Sequence, residues 1–160
     1  MGRPLVIEES VTIACPADAV WAIVTDYSSD HLWRPGIREM IPDPPGAPAV
    51  GTHVREVLQT GKRAFVTEST VASVGPGMTY QFSGTGTTGK VEGARTVEAI
   101  DADTASFTYR VELTLAGSFR FMRPLVGMTM QKGLHADLDR LRDLLEQPNA
   151  GDGPPHDHAR

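Results

Sequence analysis

The chain has 160 residues, of which 40% are hydrophobic and 22% charged, which suits a single globular domain. Its formal net charge is -5 and it has no basic run or stripe. That balance argues against a nucleic-acid partner and against an anionic membrane surface. With one cysteine, Cys15, it can form no internal disulfide, so a reducing compartment is expected and Cys15 reads as a packed small residue.

Residues 1–10 show no apolar leader, and Val6 stands where a myristoylation signal needs Ser or Thr. No apolar run approaches the ~20 residues that span a bilayer. A cytoplasmic location with no integral membrane segment is expected.

Residues 5–14 alternate, with Ile7, Val11 and Ile13 on one face, and predict a strand. Pro16 suits a first helical position, and Ala17, Val20, Ile23, Val24 and Tyr27 then recur at helical spacing, flanked by Trp21 as a core residue. A second short helix covers Ser28 to Trp33 and is stopped by Arg34-Pro35-Gly36. Residues 42–51, rich in Pro and Gly, read as a loop. Strand-like runs follow at about 51–60, 63–74, 78–84, 90–100 and 104–116, bounded by turn residues as in an antiparallel meander. From Arg123 to Glu146 the period becomes helical. Met130, Leu134, Leu138, Leu141 and Leu145 share a face with Gly127 and Gln131. Residues 1–146 therefore predict one domain, and residues 147–160 a disordered tail whose His156 and His158 lack a third metal ligand.

Turn length fixes register, and register fixes faces. A two-residue Gly61-Lys62 turn sets Leu58 opposite Phe65, Glu56 opposite Thr67 and Val54 opposite Ser69 on an inner face. Arg55 and Glu68 become an outer cross-strand ion pair. A three-residue loop at Asp101–Asp103 sets Val97 opposite Phe107, Arg95 opposite Tyr109 and Val91 opposite Leu113. Glu56 and Arg95 then stand on a mostly apolar inner face near Tyr80, Tyr109 and Gln131. Each needs a partner, a water or a ligand, because an isolated buried charge is costly.

The stretch IACPADAVWAIVTDYSSDHLWRPG resembles the N-terminal signature of the SRPBCC (START/Bet v 1-like) superfamily, and most of all its polyketide cyclase/dehydratase branch. The matching features are a strand ending in a small residue and Pro (Ile13 to Pro16), Val20-Trp21, Asp26, and Trp33 before the second strand. The order of VGTHVREVLQTGK, STVASVGPGMTYQF and the C-terminal LDRLRDLLE agrees, so the resemblance covers about residues 5–146. It implies an α+β helix-grip fold: a curved antiparallel sheet of about six or seven strands around a long C-terminal helix, two short helices after the first strand, and a deep cavity between sheet and helix. It implies no universal catalytic motif.

Three functions follow as expectations. The first is binding of a small hydrophobic or aromatic molecule, polyketide- or lipid-like, by a monomer or weak dimer. Its contacts would be Trp33 at the cavity rim, Glu56, Phe65, Thr67, Ser69, Tyr80, Arg95 and Tyr109 on the sheet, and Gly127, Met130, Gln131 and Leu134 on the helix. The second is a cofactor-independent cyclase or dehydratase with Glu56, Arg95 and Tyr109 as catalytic groups. There Glu56 or a tyrosine moves protons and Arg95 stabilises an oxyanion, unless Arg95 is merely a structural partner of Glu56 or Tyr109. The third is a protein-interaction module. His31 and His53 read as exposed and His135 as a boundary residue. No metal spacing or cofactor motif occurs, and the Gly84 to Gly89 segment reads as a sheet turn, not a phosphate cradle.

Overall fold

A computed structural model describes residues 2–147. The expected tail, with His156 and His158, lies outside the described residues apart from Gln147. Seven strands form one antiparallel sheet: β1 (Leu5–Ile13), β2 (Ile37–Asp43), β3 (His53–Thr60), β4 (Arg63–Val74), β5 (Thr79–Gly86), β6 (Gly89–Asp101) and β7 (Thr104–Leu115). Their spatial order is β1-β7-β6-β5-β4-β3-β2. Helices α1 (Ala17–Val24) and α2 (Asp30–Trp33) follow β1, and the long α3 (Arg123–Glu146) closes the chain. This is the curved sheet and long helix that the helix-grip resemblance implies.

Both registers argued from turn chemistry are present. Leu58 pairs with Phe65, Glu56 with Thr67 and Val54 with Ser69, while Arg55 and Glu68 meet outside at 2.7 Å. Gly61 takes φ +60° and Lys62 does not enter the left-handed region, as a type II′ turn demands. In the last hairpin Arg95 pairs with Tyr109 and Val97 with Phe107. The connection there is tighter than the three-residue loop expected, since Asp101 pairs with Thr104 and a bulge at Ile100 absorbs the extra residue. The faces are unchanged.

The alternation pattern left β2 unassigned. It is an edge strand with only Ile37 buried, it is bulged between Ile37 and Glu39, and it carries Pro42, which only an edge tolerates. Pro16 sits one position outside α1, as its cap.

The sheet curls where glycines allow strands to approach closely. A Cβ on Gly84 would overlap the Glu68 carbonyl, and one on Gly93 would overlap the Phe82 ring that covers it across the strand pair. Helix α3 lies across β1 and meets α2. Near its C-terminus Leu138 and Leu141 are buried with Ile13, Val20, Val24, Trp33, Val97 and Phe107 in a solid core, with Leu134 and Leu145 packed against it. Glu146 accepts the Ala14 N–H at 2.8 Å and ties this end shut. Among the described residues no helix is long and apolar enough to cross a membrane.

Candidate functional site

Between the first turns of α3 and the inner faces of β3 to β7 lies a cavity of about 290 Å³. That is near the lower end of the roughly 300–1,000 Å³ common for small-molecule sites. Apolar walls come from Leu58, Phe65, Phe82, Val91, Val111 and Leu113, with Met130 and Val126 from α3. The mouth lies between the β3–β4 hairpin, with exposed Thr60 and Arg63, and the start of α3, with exposed Met122 and Leu125. Phe65 and Phe119 meet edge-on there, their centroids 6.4 Å apart, within the roughly 4.5–7 Å common for such pairs.

The floor is polar, because strand alternation places Glu56, Ser69, Tyr80 and Tyr109 on the inner face. Beneath it runs a ladder of alternating charges. The Arg95 Nη1 donates to Asp30 Oδ1 at 3.0 Å and Nη2 to Asp30 Oδ2 at 2.6 Å, a two-pronged pair with both side chains fully enclosed. Nη1 also donates to the Val24 carbonyl at 2.9 Å. Asp30 Oδ2 accepts in addition from Arg34 Nη1 at 3.1 Å, one helical turn on. Arg34 Nη1 then donates to Glu56 Oε2 at 3.0 Å. The Arg95 and Arg34 guanidinium carbons lie 4.7 and 5.7 Å from the Tyr109 ring centroid, and Arg95 lies 5.1 Å from that of Trp33.

The order Arg95, Asp30, Arg34, Glu56 sums to zero charge, which makes burial tolerable. Burial alone disfavours both guanidinium charges, yet both pKa values are raised. For Arg34 the chief opposing cause is Glu56, and for Arg95 it is Asp30. Burial also lifts the Tyr80 hydroxyl well above the ordinary tyrosine value and raises that of Tyr27, so both stay protonated. Near the Arg34 end, burial raises the Asp137 carboxyl of α3 to about 6, against the pull of Arg34 and Arg140.

Glu56 is the ladder's exit to the cavity. Its side chain keeps 19% exposure against 0% for Arg95 and Asp30. Among the described residues only Oε2 has a partner, so Oε1 is free to accept.

The structure brings Glu56, Phe65, Thr67, Ser69, Tyr80, Tyr109 and Met130 to the cavity wall. Arg95 borders the cavity but presents no surface to it, and its terminal nitrogens are taken by Asp30 and Val24; its partner is neither Glu56 nor a ligand oxyanion. Trp33 is not at the rim. It is fully buried, edge-on to Phe107 at 5.9 Å, because α2 folds inward under the sheet. Gln131 turns away to β1, donating to the Glu8 carbonyl and to Glu9 Oε1. Gly127 packs on Leu5, and Leu134 on the solid core. His135 is exposed beside Glu9, and His31 and His53 are exposed. Cys15 is half-buried against the core, and burial raises its thiol pKa.

Asp30 and Arg34 are the residues that sequence reasoning missed. A signal existed: two inner-face charges of opposite sign each required a counterion, and an Asp and an Arg four residues apart on a short helix offer one for each.

Over residues 4–146 the chain matches the family described as polyketide cyclase/dehydrase and lipid transport. The chain belongs to this family. Solved structures agree in fold. The Zhui aromatase/cyclase from Streptomyces sp. R1128 superposes with a TM-score of 0.75 at 18% identity, covering 91% of this chain and 97% of its own. A START superfamily protein from Mycobacterium smegmatis gives 0.69 at 17% identity, covering 90% and 99%. Norcoclaurine synthase from Thalictrum flavum, in complex with dopamine and hydroxybenzaldehyde, gives 0.61 at 17% identity, covering 88% and 86%. No curated protein matches the chain in sequence. Membership in a cyclase and lipid-transport family supports ligand binding or cyclase activity for this chain.

Proposed function

We propose that the chain binds a small, compact apolar molecule carrying at least one hydrogen-bond donor. The observation behind this reading is the free Glu56 Oε1 at the floor of an otherwise greasy cavity. A carboxylate only accepts, so the ligand must donate there, as a phenol or alcohol does. Arg34 holds the other oxygen, which fixes the carboxylate's direction before any ligand arrives. The Tyr27 and Tyr80 hydroxyls, both kept protonated by burial and bonded to each other, leave one O–H to donate to a ligand carbonyl. A cytoplasmic monomer or weak dimer suits this role.

The reading is tested with 2-naphthol as probe, followed by fluorescence titration and native mass spectrometry. Binding of one molecule, weakened at least about tenfold in Glu56→Gln, is the expected result, since a hydrogen bond to a charged group contributes roughly 1.5–3 kcal/mol. Unchanged affinity in that variant would remove Glu56 from the site.

A second reading, a cofactor-independent cyclase or dehydratase, is favoured by one feature of the wall: a free carboxylate oxygen and a tyrosine that stays protonated both face the same cavity. Glu56 would take a proton from a carbon next to one ketone while a hydroxyl of the Tyr27–Tyr80 pair donates to the enolate oxygen. That carbon would bond to a second ketone of the same molecule, and the alcohol so formed would leave as water as Glu56 takes the carbon's remaining proton and returns one to the departing hydroxyl. Arg95, enclosed and paired, positions the floor and touches no substrate. Incubation with an enolisable poly-ketone decides between the two. A carrier returns it at unchanged mass, whereas a dehydratase returns product lighter by one water, and Glu56→Gln abolishes that loss.

A further inference from the structure

The cavity opens beside a cluster of large apolar side chains that stand in the open. Phe121 is 90% exposed, Met128 65%, Leu125 51% and Met122 39%. Phe121, Leu125 and Met128 are spaced four and three residues apart, so they fall along one side of the chain as it enters α3. Met122 and Leu125 also line the cavity, which makes this patch continuous with the mouth.

Charge is segregated around the patch. The segments that meet at this end of the sheet are residues 2–7, the β3–β4 hairpin (57–67), the β5–β6 hairpin (84–91) and residues 113–130. Together they hold Arg3, Lys62, Arg63, Lys90, Arg120 and Arg123, with Glu56 and Glu68, the cross-strand partners of Thr67 and Thr85, on their inner border. The net charge of -5, which argued against an anionic surface, conceals an end of the sheet that is rich in cations.

We propose that this end docks on an anionic lipid surface. Phe121, Leu125 and Met128 enter the boundary between headgroups and acyl chains, and the surrounding cations meet the lipid phosphates. A second copy of the chain is a poor occupant, because two-fold pairing would set this cationic end against itself. A folded protein partner would need a hollow shaped for Phe121, whereas a fluid interface accepts a projecting ring without one. Docking places the cavity mouth against the bilayer, so an apolar ligand passes between the two without crossing water; only this consequence rests on the proposed function.

The test mixes the full chain with vesicles of pure phosphatidylcholine or of phosphatidylcholine with phosphatidylglycerol, at low and high salt, and sediments them. Binding only to the anionic vesicles, weakened by salt, is expected. Phe121→Ser with Met128→Ser should lower that affinity about tenfold or more. Lys62→Glu with Arg120→Glu should lower it by roughly fivefold or more for each charge. None of these four side chains lines the cavity, so 2-naphthol affinity and the thermal midpoint should stay at the wild-type values; this separates loss of docking from loss of the cavity. If one pair fails to fold, the other carries the test. The proposal is overturned by absence of vesicle binding, by equal binding to neutral vesicles at any salt, or by capture of a small acidic protein without vesicle binding.

Discussion

Along its 24 residues α3 meets two different environments. Its C-terminal half drives Leu138 and Leu141 into a core sealed by α1, α2 and the far ends of β6 and β7. Its N-terminal half rests on β1 but stands off the inner face of the neighbouring strands, so that Met130 and Val126 face a cavity, Leu125 stands at its mouth and Met128 faces solvent. The apolar period is continuous through both halves. Periodicity therefore reports which side of a helix turns inward, but not whether anything fills the space it turns toward. The charge ladder marks the boundary: Asp30 and Arg95 lie in the solid half, and Glu56 emerges into the hollow one.

The sharpest way to break this contrast is to cut the ladder. Asp30→Ala leaves Arg95 charged, enclosed and short of its partner, and should cost about 3–5 kcal/mol in urea unfolding. Asp30→Leu with Arg95→Met should recover most of that loss. A cost below about 1 kcal/mol for the single change would mean that the ladder does not hold the closed half. Next in size is truncation of α3 at its two ends. Leu138→Ala should cost about 2–5 kcal/mol, and Leu125→Ala less than about 1. Similar values at both positions would erase the distinction between the halves.

Filling the hollow sharpens it from the other side. Ser69→Leu directs bulk into the cavity opposite Gly84, and should abolish 2-naphthol binding while changing stability by less than about 1.5 kcal/mol. The smallest effect is expected at Asp137. Its carboxyl is raised from 3.8 to about 6 by burial, so the folded state holds that proton more tightly than the unfolded state. The resulting stabilisation is complete below the ordinary carboxylate value and disappears as pH rises through about 6. The shift alone corresponds to about 3 kcal/mol, but Asn also gives up the ion pair with Arg140, so Asp137→Asn should raise stability at alkaline pH by about 1 kcal/mol, or roughly 2–4 °C, and leave acid stability unchanged. Thermal scans across the pH range check it.

Much of the sheet was legible because its rules are local. Gly61-Lys62 and the Asp101–Asp103 segment fix registers, and registers place Glu56, Thr67, Ser69 and Tyr109 on one face. What stayed hidden depends on how helices dock, which no strand register constrains. Trp33 reads equally well as a rim residue or a core residue until α2 is folded under Phe107. Gln131 shares a helical face with Met130, yet α3 runs along β1, so the amide reaches Glu9 while the thioether reaches the cavity. The counterions of Arg95 and Glu56 lie 65 and 22 residues away in sequence, across a gap that side-chain spacing does not bridge.

The most direct measurement is a crystal structure of the chain grown with 2-naphthol. The bicyclic ring is expected between Phe65 and Met130, its hydroxyl donating to Glu56 Oε1 while Arg34 still holds Oε2. A cavity collapsed onto its own side chains, or a naphthol bound only on the outer surface, would contradict it.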